Sequence, residues 1–446
     1  MATRFSLHNC VIIIEADYRM PTVALQNLGC SKNMIDGERI AHLFRTSGYE
    51  VIPDFIKADV IVVNTCAFIR EAQEEAIEAI LESASCKKGG KCRRLIVGGC
   101  FSERYRNKVT KLFPEVDLWV GVHDWKNLLA KQLNAGSFSP FKRELLEPAA
   151  TQYLKIAEGC SHSCAYCVIP RLRGPYRSRP AHEIIEEAQW LETKGTRELI
   201  IVAQDTAFYG KDIGTSLAKL LQKLLAATTF PWVRLMYLHP AHVDDALLQL
   251  FATEKRLCPY FDIPLQHIAD PILTAMNRSP LSKDLRALLE KIRAVVPGAV
   301  GLRSTFMLGF PGETDAHFKE LVRFVEAIKF DRLGTFPWSP EEETRAYTMP
   351  HRPRQSTVMR RCETLMLLQR DISREALSRR AGSIVETIVE GPSEDPSFAF
   401  QGRTRFDAPE IDGKVFMKSK GCVPGAILQV KITGAGDYDL FGEPVQ

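Results

Sequence analysis

The sequence predicts an α/β protein in three parts: an N-terminal parallel-sheet domain, a central partial (β/α)6 barrel and a small C-terminal five-stranded β-barrel. Three observations carry this. Between residues 21 and 137, short β-branched runs alternate with amphipathic stretches, the pattern of a buried parallel sheet covered by helices. Between residues 146 and 376, strand-then-helix repeats six times, short of the eight units a complete barrel builds from ~250 residues. From residue 377 to 446, short apolar runs are separated by Gly, Pro and Asp with no helical period, as in a small barrel.

Taken in order, Val23-Ala24-Leu25, Val60–Val63 and Leu95-Ile96-Val97 read as strands, each followed by a helix: Ile35–Arg45, Arg70–Ser83 and Ser102–Leu112. Asn134–Pro140 reads as a linker by composition. The barrel strands are expected at Tyr153–Ala157, Glu198–Ala203, Val233–Leu238, Phe261–Leu265, Val300–Leu308 and Leu333–Trp338. Helices at Ala181–Thr193, Ser216–Ala226 and Asp315–Ile328 lie among them, and Met349–Arg380 holds one long helical pattern. The tail strands are expected at Val385–Val389, Phe398–Arg403, Val415–Lys418, Ile427–Ile432 and Tyr438–Phe441.

Composition sets the outer bounds. The 446 residues are 45% hydrophobic and 25% charged with a net charge of +4, which excludes disorder and a strongly basic nucleic-acid coat. No stretch approaches the ~20 apolar residues of a membrane span, and Val11–Ile14 is too short for a secretory core. Residues 1–20 carry no readable signal, and Met20 is a candidate start. Twelve cysteines are too sparse for a disulfide scaffold. They point to a reducing cytoplasm in which clustered thiols are ligands or catalysts.

The strongest cluster is Cys160-x3-Cys164-x2-Cys167, directly after the first barrel strand. Three thiolates in eight residues can hold one face of an iron–sulfur cube and leave its fourth iron open. Spacing alone also allows zinc with His162 as fourth ligand; the place of the trio, at the mouth of a βα array, favours the cluster. A second set, Cys30, Cys66 and Cys100, is scattered in sequence, yet each residue falls just past a strand of the first sheet. Their side chains can therefore converge on one crevice, with Gly29, Gly98 and Gly99 permitting close backbone approach. Singly, each would read as a buried small hydrophobe. Cys86 and Cys92 flank Lys87–Lys91 and read as solvent-facing loop thiols; Cys10, Cys258, Cys362 and Cys422 carry no spacing signal. Tyr166, Gln204, Asp205, Gln266, Arg303, Gly309 and Gly312 fall at or near strand ends or the trio, where polar groups and turns can hold a ligand; scaffold roles stay equally open.

The Cys160–Cys167 trio resembles the signature of the radical S-adenosylmethionine (SAM) superfamily. Leu154–Cys160, Ile169–Gly174, Ser178-Arg179-Pro180, Ala203–Thr206, Phe261–His267 and Ser304–Glu313 resemble its methylthiotransferase branch, with the tail TRAM-like. The likeness runs from about Thr22 to the C-terminus. It implies two 4Fe–4S clusters, one on Cys160, Cys164 and Cys167 that binds SAM, and one on Cys30, Cys66 and Cys100 that delivers sulfur. It further implies an electron-donating reductant, hydrogen abstraction by an adenosyl radical, and a methyl group from a second SAM. Gly309 and Gly312 resemble the region that cradles the adenosyl group, with Tyr166, Gln204, Asp205, Gln266 and Arg303 as further SAM contacts. No acid–base pair could activate so inert a C–H bond, so the reactivity must come from a cofactor.

The branch divides into enzymes for an adenosine of transfer RNA and enzymes for the β-carbon of an aspartate in small-subunit ribosomal protein S-twelve. Cys30-Ser31-Lys32-Asn33 resembles the Cys-Pro-Lys-Asn of the protein type rather than the Cys-Gln-Met-Asn of the other. Asp407–Gly413 and Tyr438-Asp439-Leu440 resemble stretches typical of the protein-modifying tail. Residues 377–446 hold eight Lys and Arg against ten Asp and Glu, which suits a basic protein and not tight nucleic-acid binding. Asp407, Glu410 and Asp412 are the candidate substrate contacts. The chain departs from the branch at Ser31 (usually Pro), Gly37 (usually Ser) and Ala67 (commonly Gly). The alternatives are the transfer-RNA activity and a non-catalytic, zinc-containing RNA-binding module.

Overall fold

The computed structural model describes residues 19–125, 142–146, 149–418 and 421–445. Residues 1–18 of the expected extension, Cys10 and the Asn134–Pro140 linker lie outside the described residues. Strands β1 (Thr22–Asn27), β2 (Glu50–Val51), β3 (Val60–Thr65), β4 (Arg94–Gly99) and β5 (Leu118–Val120) form one parallel sheet in the order β2-β1-β3-β4-β5. β3 is buried at all six positions, because helices cover both faces. Val23, Val60, Val62 and Ile96 pack on Ile40, Leu43 and Phe44 of α1 (Ser31–Thr46). Ala24, Ile61, Val63, Leu95 and Val97 pack on α2 (Arg70–Gly89) and on Phe101 of α3 (Cys100–Val109). The period-two alternation thus serves two cores at once, each buried Val or Ile contributing about 1.5–3 kcal/mol. α2 runs past the expected end at Ser83, so Cys86 lies in its last turn and is half-buried, and Cys92 is buried. Neither is a solvent-facing loop thiol.

The central part has the six expected parallel strands: β6 (Thr151–Lys155), β9 (Glu198–Val202), β10 (Trp232–Leu235), β11 (Tyr260–Asp262), β12 (Gly301–Leu308) and β13 (Arg332–Pro337). They pair as β6-β9-β10 and β11-β12-β13, joined by a Val233–Leu257 bridge and a hydrogen bond from the Leu238 N–H to the Asp262 carbonyl. A short antiparallel ribbon, β7 (Ala157–Glu158) with β8 (Arg177–Ser178), brackets the Cys160–Cys167 loop. The long helix runs over Gln355–Ser378. β14 (Ile384–Pro392), β15 (Phe400–Thr404), β16 (Val415–Met417), β17 (Ile427–Ala435) and β18 (Leu440–Pro444) close into the expected five-stranded barrel, in the order β14-β15-β16-β18-β17.

The three parts pack on one another. Ile35 of α1, Ile200 and Val202 of β9, Trp232 of β10, Tyr260 of β11, Ile388 of β14 and Ala408 form one buried apolar cluster. Around it run buried ion pairs: Arg143 with Glu38 and Glu187, Lys155 and Arg173 with Asp36, and Arg403 and Arg234 with Glu198. No helix among the described residues is long and apolar enough to cross a membrane.

Candidate functional site

Cys30 ends the β1 loop as the residue before α1, Cys66 follows β3, and Cys100 opens α3 directly after β4. β1, β3 and β4 are adjacent in the sheet, so the three loops meet at its C-terminal edge. Asn33 ties the first two: its amide nitrogen donates to the carbonyls of Leu28 (2.7 Å), Asn64 (3.2 Å) and Thr65 (3.3 Å). Arg173 reaches across from the central part, donating to Asn33 Oδ1 (3.1 Å) and Cys100 Sγ (3.4 Å). Gly29 has φ +84°, and a Cβ there would lie 2.6 Å from the Cβ of Cys66, so only glycine fits.

The second trio lies in the loop beyond β7. The Cys160 N–H donates to the Gly174 carbonyl (3.0 Å), the Cys167 N–H to the Cys164 carbonyl (3.1 Å), and the Ala165 N–H to the Met276 carbonyl (2.8 Å). Arg278 faces Cys164 Sγ at 3.9 Å while donating to the Pro264 and Leu265 carbonyls.

All six thiols line one cavity of about 500 Å³ between the sheet domain and the mouth of the partial barrel, a size typical of cofactor sites. Burial and the neighbouring thiols push Cys66 and Cys160 up to about 11 and Cys167 up to about 12. Burial raises Cys100 as well, against the pull of Arg173. At Cys30 burial is outweighed by Lys32, the Asn33 N–H and Arg173, and its pKa is lowered. Such crowded thiols resist ionising alone; a thiophilic metal centre compensates the charge.

Each trio offers three thiol donors to the cavity, a donor set that suits an iron–sulfur cluster. The Nε2 of His162 is engaged elsewhere: it pairs with Asp205 Oδ2 (2.8 Å), and the ring stacks on His239 at 4.1 Å. His162, Asp205, His239 and His242 are close enough to hold a metal ion. However, the His162 and His242 contacts to Asp205 Oδ2, 2.8 and 2.7 Å, are hydrogen-bond lengths. They are shorter than the roughly 3.3 Å edge of a tetrahedral zinc shell, so the group is a hydrogen-bonded cluster. Burial opposes ionisation of Asp205, and the two imidazoles outweigh it, holding its carboxyl well below the ordinary range. The histidines at 239 and 242 were missed in the sequence because only the fold brings them to His162; two histidines around Pro240 at a strand end were the available signal.

Of the expected SAM contacts, Tyr166, Gln204 and Gln266 line the cavity. Gln204 Oε1, Gln266 Oε1 and Trp338 Nε1 on its wall are buried with no hydrogen-bond partner, which is what a polar cofactor would satisfy. Gln266 (φ 73°) and Tyr237 (φ 61°) are held in the left-handed region at strand ends, a strain typical of functional sites. The other four expected residues make contacts within the protein. Asp205 is occupied by the histidines. Arg303 pairs with Asp262 (2.8 Å) and Asp412 (3.5 Å). Gly309 faces Val358 of the long helix, where a Cβ would lie 2.4 Å from Cγ2. Gly312 donates to the His351 carbonyl (3.0 Å) and is not among the cavity residues.

Two of the three acids expected to contact substrate in the tail are engaged within the protein. Asp407 is buried against Arg332 (3.0 Å), and Asp412 accepts from the Tyr260 hydroxyl (2.6 Å) and the Ala408 N–H (2.9 Å). Both fasten the tail to the barrel. Glu410 alone of the three is exposed.

Family models match in chain order: Uncharacterized protein family UPF0004 over residues 22–121, the Radical SAM superfamily over 154–325 and the TRAM domain over 381–445. The ribosomal protein uS12 methylthiotransferase RimO of Syntrophus aciditrophicus (strain SB) is 42% identical, covering 96% of this chain and 99% of its own length. The protein of the same name from Desulforudis audaxviator (strain MP104C) is 43% identical over 94% and 96%. Among solved structures, the radical SAM methyltransferase TsrM from Kitasatospora setae superposes with a TM-score of 0.55 at 14% identity, covering 82% of this chain and 81% of that one; the likeness is one of fold. A cavity shared by two cysteine trios, together with relatives this similar along nearly their whole length, places the chain in the ribosomal protein uS12 methylthiotransferase family of radical SAM enzymes, which work with an iron–sulfur cluster and SAM.

Proposed function

We propose that this chain adds a methylthio group to the β-carbon of an aspartate of ribosomal protein uS12, in the cytoplasm, with two 4Fe–4S clusters, SAM and an electron-donating reductant. The observation that carries it is the single cavity lined by both trios. A carbon radical and a sulfur source must meet within bonding distance, and two separate sites could not bring them together. When bound, the Cys160–Cys164–Cys167 cluster with SAM supplies one-electron hydrogen abstraction, and the Cys30–Cys66–Cys100 cluster supplies sulfur.

The protein's own residues do the rest. Gln204, Gln266 and Trp338 offer the unpartnered polar atoms that orient SAM, and Arg278 steadies Cys164. Phe68, Ile69, Leu172, Met307 and Phe336 give the cavity apolar walls that keep water from a reactive intermediate. Arg104 of α3, bonded to the Ala67 carbonyl (3.1 Å) and Glu341 (2.7 Å), closes the seam between the two halves.

The test begins with anaerobic purification. We expect roughly eight iron per chain and broad brown absorbance. Replacing Cys160, Cys164 and Cys167 by alanine should remove half the iron and all reductive cleavage of SAM. In a deletion strain, uS12 should lose one methylthio group by mass spectrometry and regain it on complementation. If the transfer-RNA nucleosides change instead, the substrate assignment is wrong.

A further inference from the structure

We propose that Lys32 binds the side-chain carboxylate of the substrate aspartate and so places the reacting β-carbon between the two trios. The inference rests on the proposed aspartate substrate and names the residue that would recognise it.

Lys32 lies in the first turn of α1, two residues beyond Cys30, and lines the shared cavity. Its ammonium sits 3.4 Å from the centroid of the Tyr237 ring. Among the described residues it has no carboxylate within 4.0 Å and no hydrogen-bond acceptor; its neighbours are the aromatic face of Tyr237 and the Cys30 thiol, whose ionised form it favours. The other cavity cations are committed. Arg173 is neutralised by Asp36 (2.6 Å) and Glu158 (3.4 Å). Arg278 donates to two carbonyls and approaches Cys164. The cavity's one carboxylate, on Glu341, is paired with Arg104. Lys32 is thus the one cavity Lys or Arg whose hydrogen-bond donors stand free.

The chemistry of the substrate supplies the match. A carboxylate entering a largely apolar cavity loses its hydration, which is costly unless a cation receives it. In aspartate the carboxylate is one bond from the β-carbon, so holding the carboxylate also fixes the carbon that must lose hydrogen and gain sulfur. Lys32 is placed for both: Cys30 of the sheet trio is two residues away, and Tyr237 follows β10 at the barrel mouth, beside Leu238 and His239 of the cavity wall. An adenine base carries no such charge, so a lysine here selects for an acidic side chain.

The experiment measures binding of purified uS12, and of uS12 with the target Asp→Asn exchange, to wild type, Lys32→Met and Lys32→Arg loaded anaerobically. Wild type should prefer the aspartate form by about tenfold or more, as a charge-assisted hydrogen bond would give. Lys32→Met should bind both forms alike, and Lys32→Arg should restore part of the preference. An undiminished preference in Lys32→Met overturns the proposal while leaving the uS12 activity standing. A Lys32→Met chain with less iron than wild type overturns it in favour of cluster support. A wild type that neither modifies uS12 nor distinguishes the two forms overturns it together with the substrate assignment.

Discussion

Gly29 shows how closely the sheet trio is held. With φ at +84° and the position of a Cβ 2.9 Å from Cys66 Sγ, an alanine must displace that thiol. We predict that Gly29→Ala folds but holds about four iron in place of about eight, and still cleaves SAM reductively while failing to methylthiolate. Iron analysis and product assay separate these outcomes; full iron would show that the loop can yield. At this scale the six cavity cysteines were legible in the sequence, because three strand-end cysteines and a C-x3-C-x2-C spacing are local facts. It could not show that Asp407, Asp412 and Arg303 pair within the protein, because charge in a sequence does not reveal which neighbour lies beside it. Gly37 has a physical reason that only the fold reveals. A Cβ there would lie 1.7 Å from Asn27 Oδ1, which accepts from Asn64 (3.1 Å), so a serine would force that side chain aside.

Strands and helices carry the next level, and Glu198 at the start of β9 shows how they are joined. Fully buried, it receives Arg234 from β10 (2.8 Å), Arg403 from β15 and the Thr151 hydroxyl of β6 (3.1 Å). Burial alone would raise its pKa, but the two guanidiniums outweigh it and hold it at about 2. Its unfolded value is about 4.3, so the contribution, about 3 kcal/mol, is complete above that pH and is lost as pH falls toward 2. We predict that Glu198→Gln lowers stability by about 3–5 kcal/mol at neutral pH, since two buried arginines lose their counter-charge. The variant should also lack the loss of stability that wild type shows between pH 4.5 and 2; denaturant unfolding across that range tests both. The six barrel strands were readable because short stretches rich in apolar residues recur between helical ones. β2, two residues long, has no run to read and pairs with β1, while β5 is a lone Leu-Trp-Val triplet at the edge beside β4.

Over the whole molecule, the tail barrel looks detachable in sequence, set off by a change from helical to strand pattern. The fold argues otherwise. Ile388 and Ala408 complete the apolar cluster that holds Ile200, Trp232 and Tyr260 of the central strands and Ile35 of the sheet domain. Asp407 neutralises Arg332, Asp412 receives Tyr260 and lies beside Arg303, and Arg403 shares Glu198. A chain ending at Arg380 would expose that cluster and leave Arg332 without its carboxylate. The barrel would then have lost one wall of its core, including the layer beneath β9–β11. We predict that the full chain unfolds in one cooperative transition. The shortened chain should aggregate or melt well below it, by 10 °C or more (on the order of several kcal/mol), and lose SAM cleavage although none of the six cysteines is removed. Calorimetry with a parallel cleavage assay decides the point. A shortened chain that keeps the native melting temperature and cleaves SAM at full rate would make the tail a substrate-recruiting appendage, and the central barrel would then have to be self-sufficient.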